Sequence, residues 1–214
     1  MASDALTPGP DGRPRCFWAV GGAPEQVAYH DAEWGRPVLC DDGLYERLTL
    51  EAFQSGLSWL TILRKREAFR AAFAGFRLPA VAAFGEADKA RLLADAGIVR
   101  NRLKIEAAIA NARAALPVIE DFGSLAAFFW RFRPEAHEAP RSRADHVSAS
   151  PESAALAKEL KKRGFRFVGP TTAYSLMQAA GIVNDHVEGC CVRDDVALEQ
   201  EAAHRKALHQ GLSF

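Results

Sequence analysis

The sequence has no excess charge of either sign: 27 Lys and Arg balance 27 Asp and Glu over 214 residues. That excludes a protein that holds nucleic acid by global positive charge, while leaving room for a local basic face. No apolar run approaches the ~18 residues a membrane span needs. Residues 1–14 (MASDALTPGPDGRP) lack the apolar centre of a secretory signal. A soluble cytoplasmic protein with no membrane partner is therefore expected. Cysteine is scarce, with four in the chain, too few for a disulfide scaffold. No self-similarity recurs at a period of about 20–50 residues, which excludes solenoids and propellers. Strand-like alternation never runs for long.

What is present is helical. The composition is that of a folded globular protein, with 49% hydrophobic, 9% aromatic and 25% charged residues. Leu44, Leu48, Leu50 and Phe53 share one helical face, and Leu60, Leu63, Phe69 and Phe73 a second. Helices are also expected over 87–96, 102–116 and the apolar stretch 122–132. The stretch 134–150, with two prolines, two arginines and two histidines, reads as a loop. Ser150 then caps a helix that Pro151 opens and that runs to about Lys162. The class is all-α. Residues 1–14 are expected to be a disordered extension, 15–193 one domain of two helical lobes, and 194–214 a charged tail forming at most a loose helix.

The segment 156–180 (LAKELKKRGFRFVGPTTAYSLMQAA) reads as helix, hairpin, helix. Lys161, Lys162 and Arg163 suit the negative end of the first helix, and Gly164 can stop it in a left-handed conformation. Gly169 and Pro170 start the second helix, with Thr171 and Thr172 in its first turn. Amides at 168–172 would point beyond that N-terminus, where a phosphate is favoured, and Lys162, Arg163 and Arg166 would thicken the positive field. The same spacing also fits an ordinary αα-hairpin.

Two further constellations stand out. Cys16 and His30 lie near one end of the chain; His186 and Cys190, in NDHVEGCC, lie near the other, one turn apart if that stretch is helical. Two thiolates and two imidazoles would suit a structural zinc, though the spacing matches no familiar finger and also fits buried cysteines with surface histidines. Cys191 is a competing ligand, and Cys40 is assigned to the core. Trp18, Tyr29, Trp34 and Trp59 fall in the first 60 residues, dense enough to fill a core or to stack a planar ligand. Among them Glu51 follows an apolar helical face, and a carboxylate buried there would need a partner or a purpose. Residues 54–57 (QSGL) read as a helix break with an apolar tip, either a plain turn or a wedge for a duplex.

Taken in order, YHDAEWG (29–35), LTLEAFQSGLSWLTILRKRE (48–67), DAGIVRNRLKIEAAIANARA (95–114) and KKRGFRFVGPTTAYSLMQAAGIVNDHVEGCC (161–191) resemble 3-methyladenine DNA glycosylase I. The resemblance covers about four-fifths of the chain, from Cys16 to Cys191. It implies a helix-hairpin-helix glycosylase fold in which one structural Zn2+ on Cys16, His30, His186 and Cys190 joins the N- and C-terminal segments. It implies a base pocket of Glu51, Tyr29 and Trp59, with Trp34 and Trp18 nearby, and a wedge at Gly56 and Leu57. Lys162, Arg163, Gly164, Gly169 and Thr171 would face the DNA backbone. Two departures are visible: Gln26 stands where the family often has a tyrosine, and Glu51-Ala52-Phe53 replaces a common EGQ.

The implied activity is excision of 3-methyladenine from alkylated double-stranded DNA, by a monomer that releases the free base. The nucleotide must be flipped out, at a cost of a few kcal/mol. Methylation makes the purine cationic, so it leaves neutral and needs no general acid. Trp59 would stack on the cation and Glu51 would select it as an anion. Glu51 is the expected catalytic residue, with Asp185 second. No amine nucleophile is evident, which points to a monofunctional enzyme. The alternatives are a non-catalytic zinc-stapled DNA-binding module, a lyase acting on another lesion, and a zinc-stapled scaffold without a nucleic-acid role.

Overall fold

Ten α-helices carry the described part of the chain in a computed structural model that describes residues 4–209, with side chains to residue 205. They are α1 (Pro24–Ala32), α2 (Asp41–Gln54), α3 (Trp59–Ala72), α4 (Leu78–Ala82), α5 (Glu86–Ala94), α6 (Arg102–Phe122), α7 (Leu125–Phe129), α8 (Pro151–Lys162), α9 (Pro170–Ala179) and α10 (Arg193–His209). Local chemistry sets most of their ends. Ser58, Asn101, Ser124 and Ser150 accept from the amide three residues on, at the starts of α3, α6, α7 and α8. Gly123 closes α6 in the left-handed region. None of these helices is long and apolar enough to cross a membrane.

The acidic start of α2 does more than suit its dipole. Asp41 accepts from Leu125 N (2.7 Å) and Asp42 from Leu78 N (2.9 Å), so two further helix starts are fastened to α2. The main core runs from α2 to α9. Phe53, Phe69, Phe73 and Phe76, all fully buried, interlock at its centre with ring centroids 4.8–6.1 Å apart. A smaller apolar cluster holds Cys16, Tyr29, Trp34, Val187 and Cys190, and Trp59 packs against both.

The structure corrects the sequence reading at both ends. Residues 4–14 do not form a disordered extension. A two-stranded antiparallel hairpin, β1 (Leu6–Pro8) with β2 (Pro14–Cys16), pairs Leu6 with Cys16 and Thr7 with Arg15. Arg15 is the reason it holds. Its guanidinium, 3% exposed, binds Asp11 within the hairpin (2.6 and 2.8 Å) and Asp31 at the end of α1 (2.9 and 2.7 Å). The tail, expected to be at most a loose helix, is α10. Its Val196 is fully buried, and its Gln200 donates to the carbonyls of Gly35 (2.8 Å) and Val183 (3.3 Å). Residues 1–3 and 210–214 lie outside the described part. The class is thus helical with one small sheet.

Candidate active site and metal centre

A cavity of about 340 Å³ opens between α1, α2, the start of α3 and α9, lined by Trp18, Tyr29, Trp34, Glu51 and Trp59 among others. The apolar face of α2 carries Glu51 into the interior, 7% exposed, with no hydrogen bond to its carboxyl among the described residues. Burial pushes its pKa up to about 8, against the opposing pull of the Arg47 guanidinium one helical turn earlier. Arg47 is itself held by Glu33 (2.9 Å), which also takes Arg66. Tyr29 is buried on α1, its ring 4.9 Å from Trp59, and burial drives its hydroxyl far above the usual range. All five sequence-predicted pocket residues therefore meet in one cavity. Asp185 is not in its lining. It is buried behind Gln178, where His137 Nε2 (2.5 Å), Tyr174 Oη (2.8 Å) and Gln178 Nε2 (2.6 Å) donate to it. Burial raises its pKa, but those donors outweigh that and hold the carboxyl below its usual range.

Next to the cavity, Cys16 Sγ, a ring nitrogen of His30 and Cys190 Sγ lie within 4.8 Å of one another, all buried. His186 packs beside them, its ring 4.9 Å from that of His30. The stretch that holds His186 and Cys190 is not helical; it is a loop turned at Gly189, with Cys190 N donating to Val187 O (2.9 Å). Both ring nitrogens of His186 face acceptors: Nδ1 lies 3.0 Å from Asn184 Oδ1, whose amide nitrogen donates to Arg193 O, and Nε2 lies 3.5 Å from the carbonyl oxygen of His30. His30 Nδ1 donates to Asp31 (2.8 Å), the carboxylate that Arg15 grips, and His30 Nε2 points at Cys190 Sγ (3.5 Å). Burial lowers the His186 pKa to about 4, and hydrogen bonding from Cys16 lowers that of the Cys190 thiol. Gly35, at φ +78°, lets the chain pass this cluster, since a Cβ there would meet His186 Cε1 at 2.8 Å. Trp34 joins cluster to cavity, its ring 4.6 Å from His186 and 4.8 Å from Trp18.

The turn after α2 and the α8–α9 hairpin border one groove, lined by Ser55, Lys161, Phe167 and Gly169 among others. Leu57, 41% exposed, tips a turn in which its amide donates to Gln54 O (2.6 Å). Lys104 on α6, 8% exposed, anchors that turn by donating to the carbonyls of Phe53 (3.0 Å) and Ser55 (2.5 Å). Lys104→Met leaves both carbonyls unpaired, and urea denaturation is expected to show a loss of about 1–3 kcal/mol. The hairpin runs from Arg163 to Gly169. Asn111 pins it to α6 by accepting from Arg166 N (2.7 Å) and donating to Arg166 O (3.0 Å). The start of α9 has no side-chain cap, so the amides of Thr171 and Thr172 face outward. Lys162 is exposed and touches Glu159 at 3.4 Å. Arg163 turns to Asp121 (2.8 Å) and Glu159 (3.1 Å) over the Phe122 ring.

The sequence pattern of the methyladenine glycosylase family matches residues 18–194. DNA-3-methyladenine glycosylase 1 of Escherichia coli (strain K12) is 49% identical over 181 residues, covering 83% of this chain and 95% of that protein. The chain belongs to the methyladenine glycosylase family. A glycosylase of this family from Haemophilus influenzae is 40% identical over 180 residues, covering 82% of this chain and 96% of its own. Among solved structures, 3-methyladenine DNA glycosylase I from Staphylococcus aureus, determined for its recognition of 3-methyladenine, superposes at a TM-score of 0.77 with 34% identity. It covers 81% of this chain and 93% of its own.

Sequence reasoning missed three parts of the site in this glycosylase. Lys104 looked like any polar residue on an amphipathic helix, and nothing local tied it to a turn some 50 residues earlier. Phe17 and His146 also line the cavity. Phe17 stands between two motif residues, and His146 lies in a stretch whose only local signal was that it formed a loop.

Proposed function

We propose that this protein is a DNA repair glycosylase that flips 3-methyladenine out of alkylated duplex DNA and hydrolyses its N-glycosidic bond, leaving the strand intact. The observation that carries this reading is one uncompensated carboxyl, Glu51, buried in a cavity walled by Tyr29, Trp18, Trp34 and Trp59. A flat cation suits such a cavity: the rings stack on it and its charge draws Glu51 toward the ionised form. Adenine without the methyl group brings no charge and leaves the acid protonated near neutral pH.

Bond cleavage sends the glycosidic electron pair to the purine ring, which becomes neutral. Water adds at C1′ of the oxocarbenium-like sugar and loses a proton to solvent. The neutral product no longer favours an ionised Glu51, so the affinity gained on entry is given up on exit. Asp185 acts through Gln178 rather than on the sugar, since its carboxyl is fully engaged behind that side chain. Leu57, with Gly56 beside it, fills the space the base vacates. The outward amides at Thr171, the backbone from Gly164 to Gly169, and Lys162 hold the phosphates, with Arg163 as a buttress for the hairpin.

Cys16, His30, His186 and Cys190 would hold a zinc ion, whose two-thiolate, two-imidazole donor set is that of a closed structural site. Two buried thiols support that fit, together with His30, whose Nε2 faces Cys190 Sγ while its Nδ1 donates to Asp31, and His186 packs beside these three donors. Bound there, the ion supplies a cross-link between the N- and C-terminal segments.

Release of free 3-methyladenine from methylated duplex DNA, compared between wild type and Glu51→Gln, tests the reading. No release by folded, zinc-loaded wild type would leave the binding module in front. Leu57→Ala is expected to cut kcat/KM on duplex by about tenfold through lost apolar filling. Its affinity for the free base should match that of wild type by tryptophan fluorescence.

A further inference from the structure

Two nitrogens in the cavity wall are buried without a hydrogen-bond partner among the described residues: Trp59 Nε1 and His146 Nε2. Trp59 already has its place in stacking. His146 has none. It stands on the loop after α7, where a short 3-10 turn (Arg143–Asp145) presents it to the cavity. Its ring lies edge-on to Phe17, centroids 5.3 Å apart at 72°.

The loop is fastened in that position from several sides. Asp145 accepts from the amides of Arg141 and Ser142, each at 2.8 Å. The Arg143 guanidinium covers Phe17 at 4.6 Å and donates to Asp4 O (2.7 Å). Glu188 N donates to Pro140 O (2.8 Å), tying the loop to the segment that carries His186 and Cys190. His146 is thus held in place rather than swept in by a loose segment. A buried ring nitrogen without a partner costs on the order of 1–3 kcal/mol. The neighbouring amides do not relieve it: Gln26 donates to Trp18 O (3.2 Å) and Gln178 to Asp185.

We propose that His146 is a specificity-determining residue whose ring, which lines the cavity with Nε2 covered, turns against Phe17 on base entry so that Nε2 hydrogen-bonds to the polar edge of the flipped purine. The inference rests on the glycosylase reading and adds a recognition element to the same cavity. A neutral imidazole can accept from an exocyclic amine or donate to a ring nitrogen, and adenine presents both on one edge. Glu51 reads the charge of the base; His146 reads its edge.

The test measures free 3-methyladenine affinity by the fluorescence of the cavity tryptophans, together with kcat and KM for release from methylated duplex. His146→Phe keeps a ring against Phe17 and removes the nitrogen. It is expected to leave the melting temperature unchanged or raised. It should weaken base affinity and raise KM by about five- to tenfold, with kcat changed much less. His146→Gln should regain most of the affinity. A packing role alone predicts the opposite order, with phenylalanine conservative and glutamine damaging. If the phenylalanine form does not fold, His146→Leu against His146→Gln makes the same comparison. Release by wild type with unaltered affinity in the nitrogen-free variant overturns this inference and leaves the glycosylase reading standing. Absence of release by wild type overturns both.

Discussion

Glu51→Gln is expected to lower kcat/KM for 3-methyladenine release by about 10- to 100-fold, the size of a lost charge-assisted hydrogen bond, and at the same time to stabilise the protein at alkaline pH. Both effects follow from a carboxyl whose pKa lies near 4.5 in the unfolded chain and about 8 in the folded one. Below pH 4.5 the group is protonated in both states and costs nothing. Between 4.5 and 8 the unfolded chain releases the proton that the folded state keeps, so stability falls as pH rises. Above 8 the loss is complete, on the order of 4 kcal/mol. Glutamine does not titrate, so the melting temperatures of variant and wild type should coincide near pH 4.5 and separate by roughly 10 °C at pH 9. In kcat/KM, wild type should rise toward a plateau with an apparent pKa near 8, and the variant should lack that limb. Parallel melting curves across this range would show that Glu51 is not the buried titrating group.

Removal of the proposed zinc is expected to have the other large effect. A strong chelator, or Cys190→Ala, should lower the melting temperature by about 10 °C or more, as loss of a structural zinc does. The damage should reach the cavity, because Trp34 packs on His186 and lines the base site. Base affinity measured at a temperature where the stripped protein is still folded should fall at least several-fold, and added zinc should restore it. Retention of both properties after demonstrated removal of any bound metal would show that the cluster is a plain buried core.

What could be read beforehand was whatever is written in local chemistry. Ser150, Pro151 and the Lys161–Gly164 stop bound α8 as expected, and Pro170 opens α9 at its first turn. The pocket aromatics and Glu51 were visible as composition along one short stretch. The hairpin at residues 4–16 was not, because Pro, Gly and Asp read locally as disorder and the stabilising contact, Arg15 to Asp31, is tertiary. The spacing of His186 and Cys190 suggested a helical turn, yet Gly189 at φ +83° bends that stretch into a loop. α6 runs past Pro117 to Phe122 because Arg113 and Pro117 lie on its exposed side, where water can take the place of the missing amide donor. Lys104 gains its hydrogen-bond partners, and the His146 ring its contact with Phe17, only from distant segments.

The contact that closes the cluster joins His30 to Cys190 across 160 residues, and Val187 reaches Cys16 across 171. A chain leaving the ribosome therefore makes α2 through α8 well before it can finish either the cluster or the tryptophan wall beside it. The order of synthesis becomes an order of competence: a nascent or truncated copy with much of its core in place still lacks a finished base pocket, which is completed only by the segment from α9 onward.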